Sequence, residues 1–221
     1  MGGIYAAALH QLPRAPRRRG SVGVQAGWSV ECGADDPTVV LPWHSEDGSL
    51  RYVDLRLDPS AVEHISEAQQ FPCLAAALRR WNTAESPVFT AKCDVWNYPA
   101  DLFDAEDLPG FAFAQGSYMD LVSADMDKFQ SFAACERQLR AWTAAARQIP
   151  LQNCRCEWTL RSALIFPHKR SVPPEGKAEA LAGFATTLYV WGYGASAAMA
   201  NSAWCEATEA LIEPVLIRSE S

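Results

Sequence analysis

A chain of 221 residues that is 49% hydrophobic, 20% charged and 10% aromatic has the makeup of one large globular domain or two small ones, which excludes a disordered, collagenous or coiled-coil protein. No apolar run approaches the ~20 residues of a membrane span. A formal charge of −7 argues against a nucleic-acid backbone as partner, because that role calls for a basic surface.

The charge is uneven. Residues 1–20 hold Arg14, Arg17, Arg18 and Arg19, no acid, two prolines and three glycines. They lack the continuous apolar segment and cleavage site of a secretory signal and read as a disordered Arg-rich tail, with an organelle transit peptide as the other reading. Without them the balance is 15 basic against 26 acidic residues, or −11.

Strands and helices then alternate. Trp28–Cys32 and Thr38–Leu41 are short β-prone runs, and Arg51–Leu57 alternates apolar and polar residues as a half-buried strand does. Asp58 is placed to cap a helix with Pro59 at its first position. The helical pattern Val62, Ile65, Leu74, Leu78, Trp81 contains Pro72, which predicts a break near Gln70–Phe71. Val88–Trp96 is the next strand. The acidic loop Asn97–Gly110 lacks the alternating oxygen ligands and central glycine of a calcium loop.

Phe111–Val122 reads as a strand bulged at Gly116. Asp125 is placed to cap a helix whose apolar face is Phe129, Phe132, Leu139, Trp142, Ala146 and Ile149. Cys154–Leu164 is a strand, and a loop with three prolines and Lys169, Arg170 and Lys177 follows it. Phe184–Trp191 is the last strand; Gly192 and Gly194 read as a turn, and Ser196 caps a final helix to about Leu211.

A short pattern recurs. Tyr52-Val53-Asp54-Leu55 matches Tyr118-Met119-Asp120-Leu121, and each is followed by a helical region and a Cys-acid pair, Cys93-Asp94 and Cys156-Glu157. Tyr52 to Asp94 is 42 residues and Tyr118 to Glu157 is 39. The expected fold is therefore α+β, with two ferredoxin-like β-α-β units from an internal duplication. Residues 21–110 form the first half and 111–221 the second, packed as one unit.

Seven cysteines, an odd number at irregular spacing with no Cys-x-x-Cys, argue against a disulfide framework and a zinc ribbon and for buried free thiols in the cytoplasm. The four histidines are scattered. There is no G-x-S-x-G, P-loop, G-x-G-x-x-G or H-E-x-x-H pattern. Trp191-Gly192-Tyr193-Gly194 before a helix offers backbone donors to an anion, but a tight turn explains the same glycines. No cofactor and no metal is implied by a motif.

Function is sought in the strand alternation. Side chains of a strand point alternately to opposite sides. One set (Val53, Leu55, Leu57; Phe89, Ala91, Cys93, Val95; Met119, Leu121; Cys154, Cys156, Trp158, Leu160) belongs under the helices. The other gathers Tyr52, Asp54, Lys92, Asp94, Trp96, Tyr118, Asp120, Arg155, Glu157 and Arg161, with Arg56, Thr90, Thr159, Tyr189 and Trp191 joining them. These make the candidate binding residues. Large aromatics among acids and bases favour a covered face, so the leading expectation is a face that binds a small polar molecule or a second subunit, as in a homodimer, without chemistry. The alternative is an enzyme using Asp54, Asp94, Asp120 and Glu157 as acid–base groups or Mg/Mn ligands, with Lys92 and Arg161 holding a small anionic substrate in a pocket between the halves. The acids on this face and the overall charge leave RNA and membranes out of the expected partners.

Overall fold

The computed structural model describes residues 23–99, 111–166 and 179–217. The Arg-rich tail, most of the acidic loop and the basic loop with Lys169, Arg170 and Lys177 lie outside these residues. The described chain is a mixed α+β structure with a single six-stranded sheet. Its strands are β1 (Gln25–Glu31), β2 (Val39–Leu41), β3 (Val88–Pro99), β4 (Phe113–Ser123), β5 (Cys154–Ile165) and β6 (Leu181–Gly194).

The strand order is β1-β5-β6-β4-β3. β1 and β2 pair in parallel with successive stretches of β5 and so make one broken edge, while all other pairings are antiparallel. β4 and β5 therefore run parallel with β6 between them. They are joined by α3 (Met126–Gln130) and α4 (Phe132–Ala146), a crossover that parallel strands require. The described residues of 21–110 do not build a second such unit. Their strands β1 and β3 lie at opposite edges of the sheet, and the pairings make them antiparallel.

The expected strand at Arg51–Leu57 does not form. Arg51 makes one isolated bridge with His44. The chain then turns, with the Asp54 carbonyl accepting from the Leu57 and Asp58 amides. Asp54 also accepts from the Arg56 amide, 3.0 Å, and from the Arg56 guanidinium. An aspartate that bonds the backbone two residues on stabilises a turn at the expense of extended structure. That local bond overrides the alternation.

The helical region after it is broken at Phe71, where Pro72 begins α2 (Pro72–Trp81). Before the break lie a 3-10 turn (Pro59–His64) and α1 (Ser66–Gln70). Asp58 precedes Pro59 but makes no capping bond to the backbone; its carboxylate accepts from Ser60 instead. Asp125 caps α3 through the Asp127 and Lys128 amides, and Ser131 interrupts the helix and caps α4. Ser196 caps α5 (Ala197–Ala210), and α6 (Ile212–Leu216) follows.

The main core lies between one sheet face and the helices. Met119, Leu121, Cys156, Trp158, Leu160, Leu188 and Val190 meet Leu74, Leu78, Trp81, Leu139, Trp142 and Trp204 there. Burial of each large side chain contributes roughly 1.5–3 kcal/mol. Gly192 belongs to this face. It is not in a turn, because β6 runs on to Gly194. α5 lies so close that a Cβ on Gly192 would strike the backbone of Ala200 and Trp204.

α2 and α5 also bring Cys73 and Cys205 together, with a Cα–Cα distance of 5.6 Å and a disulfide between them. This corrects the expectation that all thiols are free. The two cysteines are 132 residues apart and meet only through helix packing, which spacing in the sequence does not reveal. The other five are free.

A second, smaller cluster lies on the opposite face at one end of the sheet. It joins Val39, Leu41, Phe89, Ala91, Val122, Phe129, Ala163 and Ala185. Tyr52 packs against this cluster. Residues 42–57 thus pass across this face from the β2 edge towards β3. The Trp43 indole donates to the Ala91 carbonyl at 2.7 Å. Phe129, from α3, also reaches this face, over Gly183.

Candidate functional site

On the face opposite the main core, pairing registers align side chains from five strands in cross-sheet rows. One row is Lys92–Asp120–Thr187–Thr159–Ser29. The next is Asp94–Tyr118–Tyr189–Glu157–Gly27, and beyond it lies Trp96–Gly116–Trp191–Arg155–Gln25. On the other side of the Lys92 row comes Phe89–Val122–Ala185–Arg161–Glu31.

Phe89 sits in this last row because β3 is bulged. The register shifts between Thr90 and Lys92, so Ala91 is the extra residue. The bulge reverses the alternation of the first residues of β3 relative to the rest. Phe89 and Ala91 consequently belong to the smaller cluster, whereas Cys93 and Val95 pack against the main core. Thr90 meets Asn82 of the helical region. No register shift occurs at Gly116. The glycine is needed there because Trp96 and Trp191 close over it, leaving no space for a Cβ.

The row through Asp120 is polar, and its middle members Asp120, Thr187 and Thr159 are buried. Thr187 donates from Oγ1 to Asp120 Oδ1 at 2.6 Å, and the Ser29 and Thr159 hydroxyls bond at 3.1 Å. Asp120 is 9% exposed. Burial pushes its carboxyl above the usual carboxylate range, and Thr187, Arg161 and Lys92 pull against that rise. Arg161 reaches Glu31 at 2.7 Å and the Tyr189 hydroxyl at 3.2 Å. Burial likewise raises the Tyr189 phenol and the Glu157 carboxyl; Arg155, 2.7 Å from Glu157, opposes the latter shift.

Beside this row the aromatic rings touch in sequence. Trp96 and Tyr118 have centroids 6.0 Å apart, Tyr118 and Tyr189 6.3 Å, and Tyr189 and Trp191 are stacked at 5.5 Å. Cations flank them. The Arg155 guanidinium stands 5.6 Å from the Trp191 ring, and Lys92 Nζ lies 5.2 Å from Trp43 and 5.9 Å from Tyr118. Lys92 is exposed, whereas Tyr118, Tyr189 and Trp96 are half-buried.

Eight of the ten residues singled out from the sequence lie in these rows. Tyr52 and Asp54 do not, because their segment is a turn rather than a strand. Tyr52 packs on the smaller cluster, and Asp54 pairs with Arg56 at 2.6 Å while that guanidinium lies 3.5 Å over Phe89. Thr187, Ser29, Glu31 and Trp43 are polar or aromatic residues of this face that the sequence reading does not single out. The alternation that selects Tyr189 and Trp191 also selects Thr187. For Ser29 and Glu31 the signal is absent until the partner strand of β1 is known.

The acids do not converge. Asp54 is tied to Arg56, Asp120 to Thr187 and Glu157 to Arg155. Among the described residues no group of three His, Cys, Asp or Glu side chains could hold a metal ion. Cys93 is half-buried on the core side, where burial pushes its thiol up to about 12. Among the described residues no helix is long and apolar enough to cross a membrane. Comparison of the chain with protein families, with curated proteins and with solved structures gives no significant match.

Proposed function

We propose that the sheet face holding Lys92, Tyr118 and Asp120 binds a small polar ligand with a planar ring. The contact chain Trp96–Tyr118–Tyr189–Trp191, set beside a buried polar row, carries this reading. Rings on a sheet offer a stacking platform, and binding sites join such apolar walls to a few convergent polar groups. Lys92 is exposed at the edge of the platform and would meet an anionic or carbonyl group of the ligand. Arg161, on the same face and paired with Glu31, holds the Tyr189 hydroxyl at the border of the platform.

The test is titration with polar planar probes, namely nicotinate, uracil and benzamide, followed by ligand-observed NMR. Saturable binding of at least one, lost in a Trp96→Ala/Tyr118→Ala double variant that keeps its fold, is expected. Failure of all three to bind, together with a dimer that dissociates in the double variant, would replace the ligand by a second copy of the chain.

A second reading is favoured by one observation, the raised carboxyl of Asp120 beside Lys92 and Arg161. A buried carboxyl group that holds its proton more tightly than usual can act as a general acid towards an anionic substrate. In that case Asp120→Asn abolishes turnover while probe binding persists. Two finer readings accompany the proposal. The order and directions of β3–β6 with α4 and α5 suit a ferredoxin-like arrangement. Five free thiols suit a cytoplasmic location, against which the Cys73–Cys205 bond stands as the opposing observation.

A further inference from the structure

Among the described residues, Lys92 is the one cation of the sheet face that no carboxylate pairs with. Arg155 stands 2.7 Å from Glu157, Arg161 2.7 Å from Glu31 and Arg56 2.6 Å from Asp54. The acids beside Lys92 are engaged elsewhere. Asp120, across the β3–β4 pair, is buried and accepts from Thr187, and Asp94, two residues on, accepts from the Val95 amide at 2.7 Å. What holds the ammonium instead is a pair of rings, with Nζ 5.2 Å from Trp43 and 5.9 Å from Tyr118. Trp43 is itself fixed by its bond to the Ala91 carbonyl at the β3 bulge. Ring faces attract a cation without cancelling its charge. Lys92 is exposed, so a ligand lying on the platform reaches it.

An ammonium already steadied between two rings loses little further freedom when an anion meets it. Its hydrogen bond to an ionised acceptor is also stronger than one to a neutral carbonyl. We infer, on the reading of this face as a ligand site, that the platform selects planar aromatic monocarboxylates and that Lys92 sets this specificity. The ring of the ligand lies on Tyr118, and its carboxylate meets Lys92 Nζ. One negative charge suits the site better than the roughly two of a phosphate monoester. Both arginines of the neighbouring rows, Arg155 and Arg161, are already paired with carboxylates, so a second charge finds no second cation among the described residues. Asp94, two residues from Lys92 on the same strand face, repels that second charge.

The experiment titrates the full chain with benzoate, benzamide and phenyl phosphate, followed by ligand-observed NMR. The three share one ring and differ in the group offered to Lys92. Benzoate should bind about threefold to fivefold tighter than benzamide, the gain of one ion pair at a partly open site. Phenyl phosphate should bind no tighter than benzoate. Raising the ionic strength to about 1 M, where charges are screened beyond about 3 Å, should shrink the preference for benzoate. Lys92→Met keeps an apolar stem against the rings and deletes the charge at an exposed position. In that variant benzoate should fall to the level of benzamide. Equal binding of benzoate and benzamide by the wild type, tightest binding of phenyl phosphate, or a preference for benzoate that survives Lys92→Met would each overturn the specificity while leaving the face a ligand site. Failure of all three probes to bind would overturn the ligand site and its specificity together.

Discussion

Thr187 Oγ1 and Asp120 Oδ1 meet at 2.6 Å across the β4–β6 pair, and this bond is the centre of the buried polar row. It explains how a carboxyl group sits at 9% exposure without a direct ion pair. Neutral, the carboxyl needs few partners; ionised, it has one hydroxyl and two nearby cations to offset its lost hydration.

Because burial raises the folded carboxyl of Asp120 above its ordinary value of 3.8, the native state holds this proton more tightly than the unfolded chain does. The group's contribution to stability is full below that value and is lost as pH rises through the raised one. Asp120→Asn keeps an acceptor for Thr187 and does not ionise. Urea unfolding of both proteins from pH 4 to pH 8 should show the variant gaining on the wild type by about 1–3 kcal/mol as pH rises. A difference that stays constant across that range would exclude a buried titrating Asp120.

Gly192→Ala should be among the most damaging single-methyl changes in the chain. The added carbon meets main-chain atoms of α5, which cannot swing aside as a side chain would. Overpacking of this kind costs about 1–3 kcal/mol. Thermal unfolding reads the loss directly. The same substitution at Gly27, where nothing lies within 4 Å of the new carbon, serves as the mild control.

Reduction of Cys73–Cys205 should lower stability by about 2–4 kcal/mol, since the bond closes a long loop in the unfolded chain. Alkylation of the denatured, unreduced protein should label five thiols, and labelling after reduction should reach seven. Seven labels before reduction would show that the α2–α5 link is not formed.

Trp43→Phe removes the indole bond to the Ala91 carbonyl at the β3 bulge. A loss of about 1 kcal/mol is expected. Faster hydrogen exchange should appear at the Tyr52 amide, which donates to the Trp43 carbonyl. Exchange unchanged there would mean that segment 42–57 is held across the sheet by other contacts.

Much of the sheet was legible because strand alternation has a short, rigid period. Lys92, Asp94 and Trp96 separate from Cys93 and Val95 on that basis alone, as Arg155 and Glu157 separate from Cys154 and Cys156. The same rule misled at Arg51–Leu57, where the bonds that Asp54 accepts from Arg56 outweigh the pattern, and at Phe89, where one extra residue reverses it. Gly192 and Gly194 were misread for a related reason. Glycine marks a turn or a close approach equally well, and only the position of α5 decides between them. Pairings between distant segments, such as β1 with β5 or Cys73 with Cys205, depend on the whole topology and leave no local trace.

The placement of β1 has a consequence for how this protein comes off the ribosome. The strand is made before the other described strands, and the stretch of β5 that it pairs with, Arg155–Arg161, is made some 130 residues later. Until then Gln25–Glu31 is an extended segment with an unclaimed edge, of the kind that invites wrong partners in a crowded cell. A nascent chain stalled before Cys154 would therefore carry β1 unpaired.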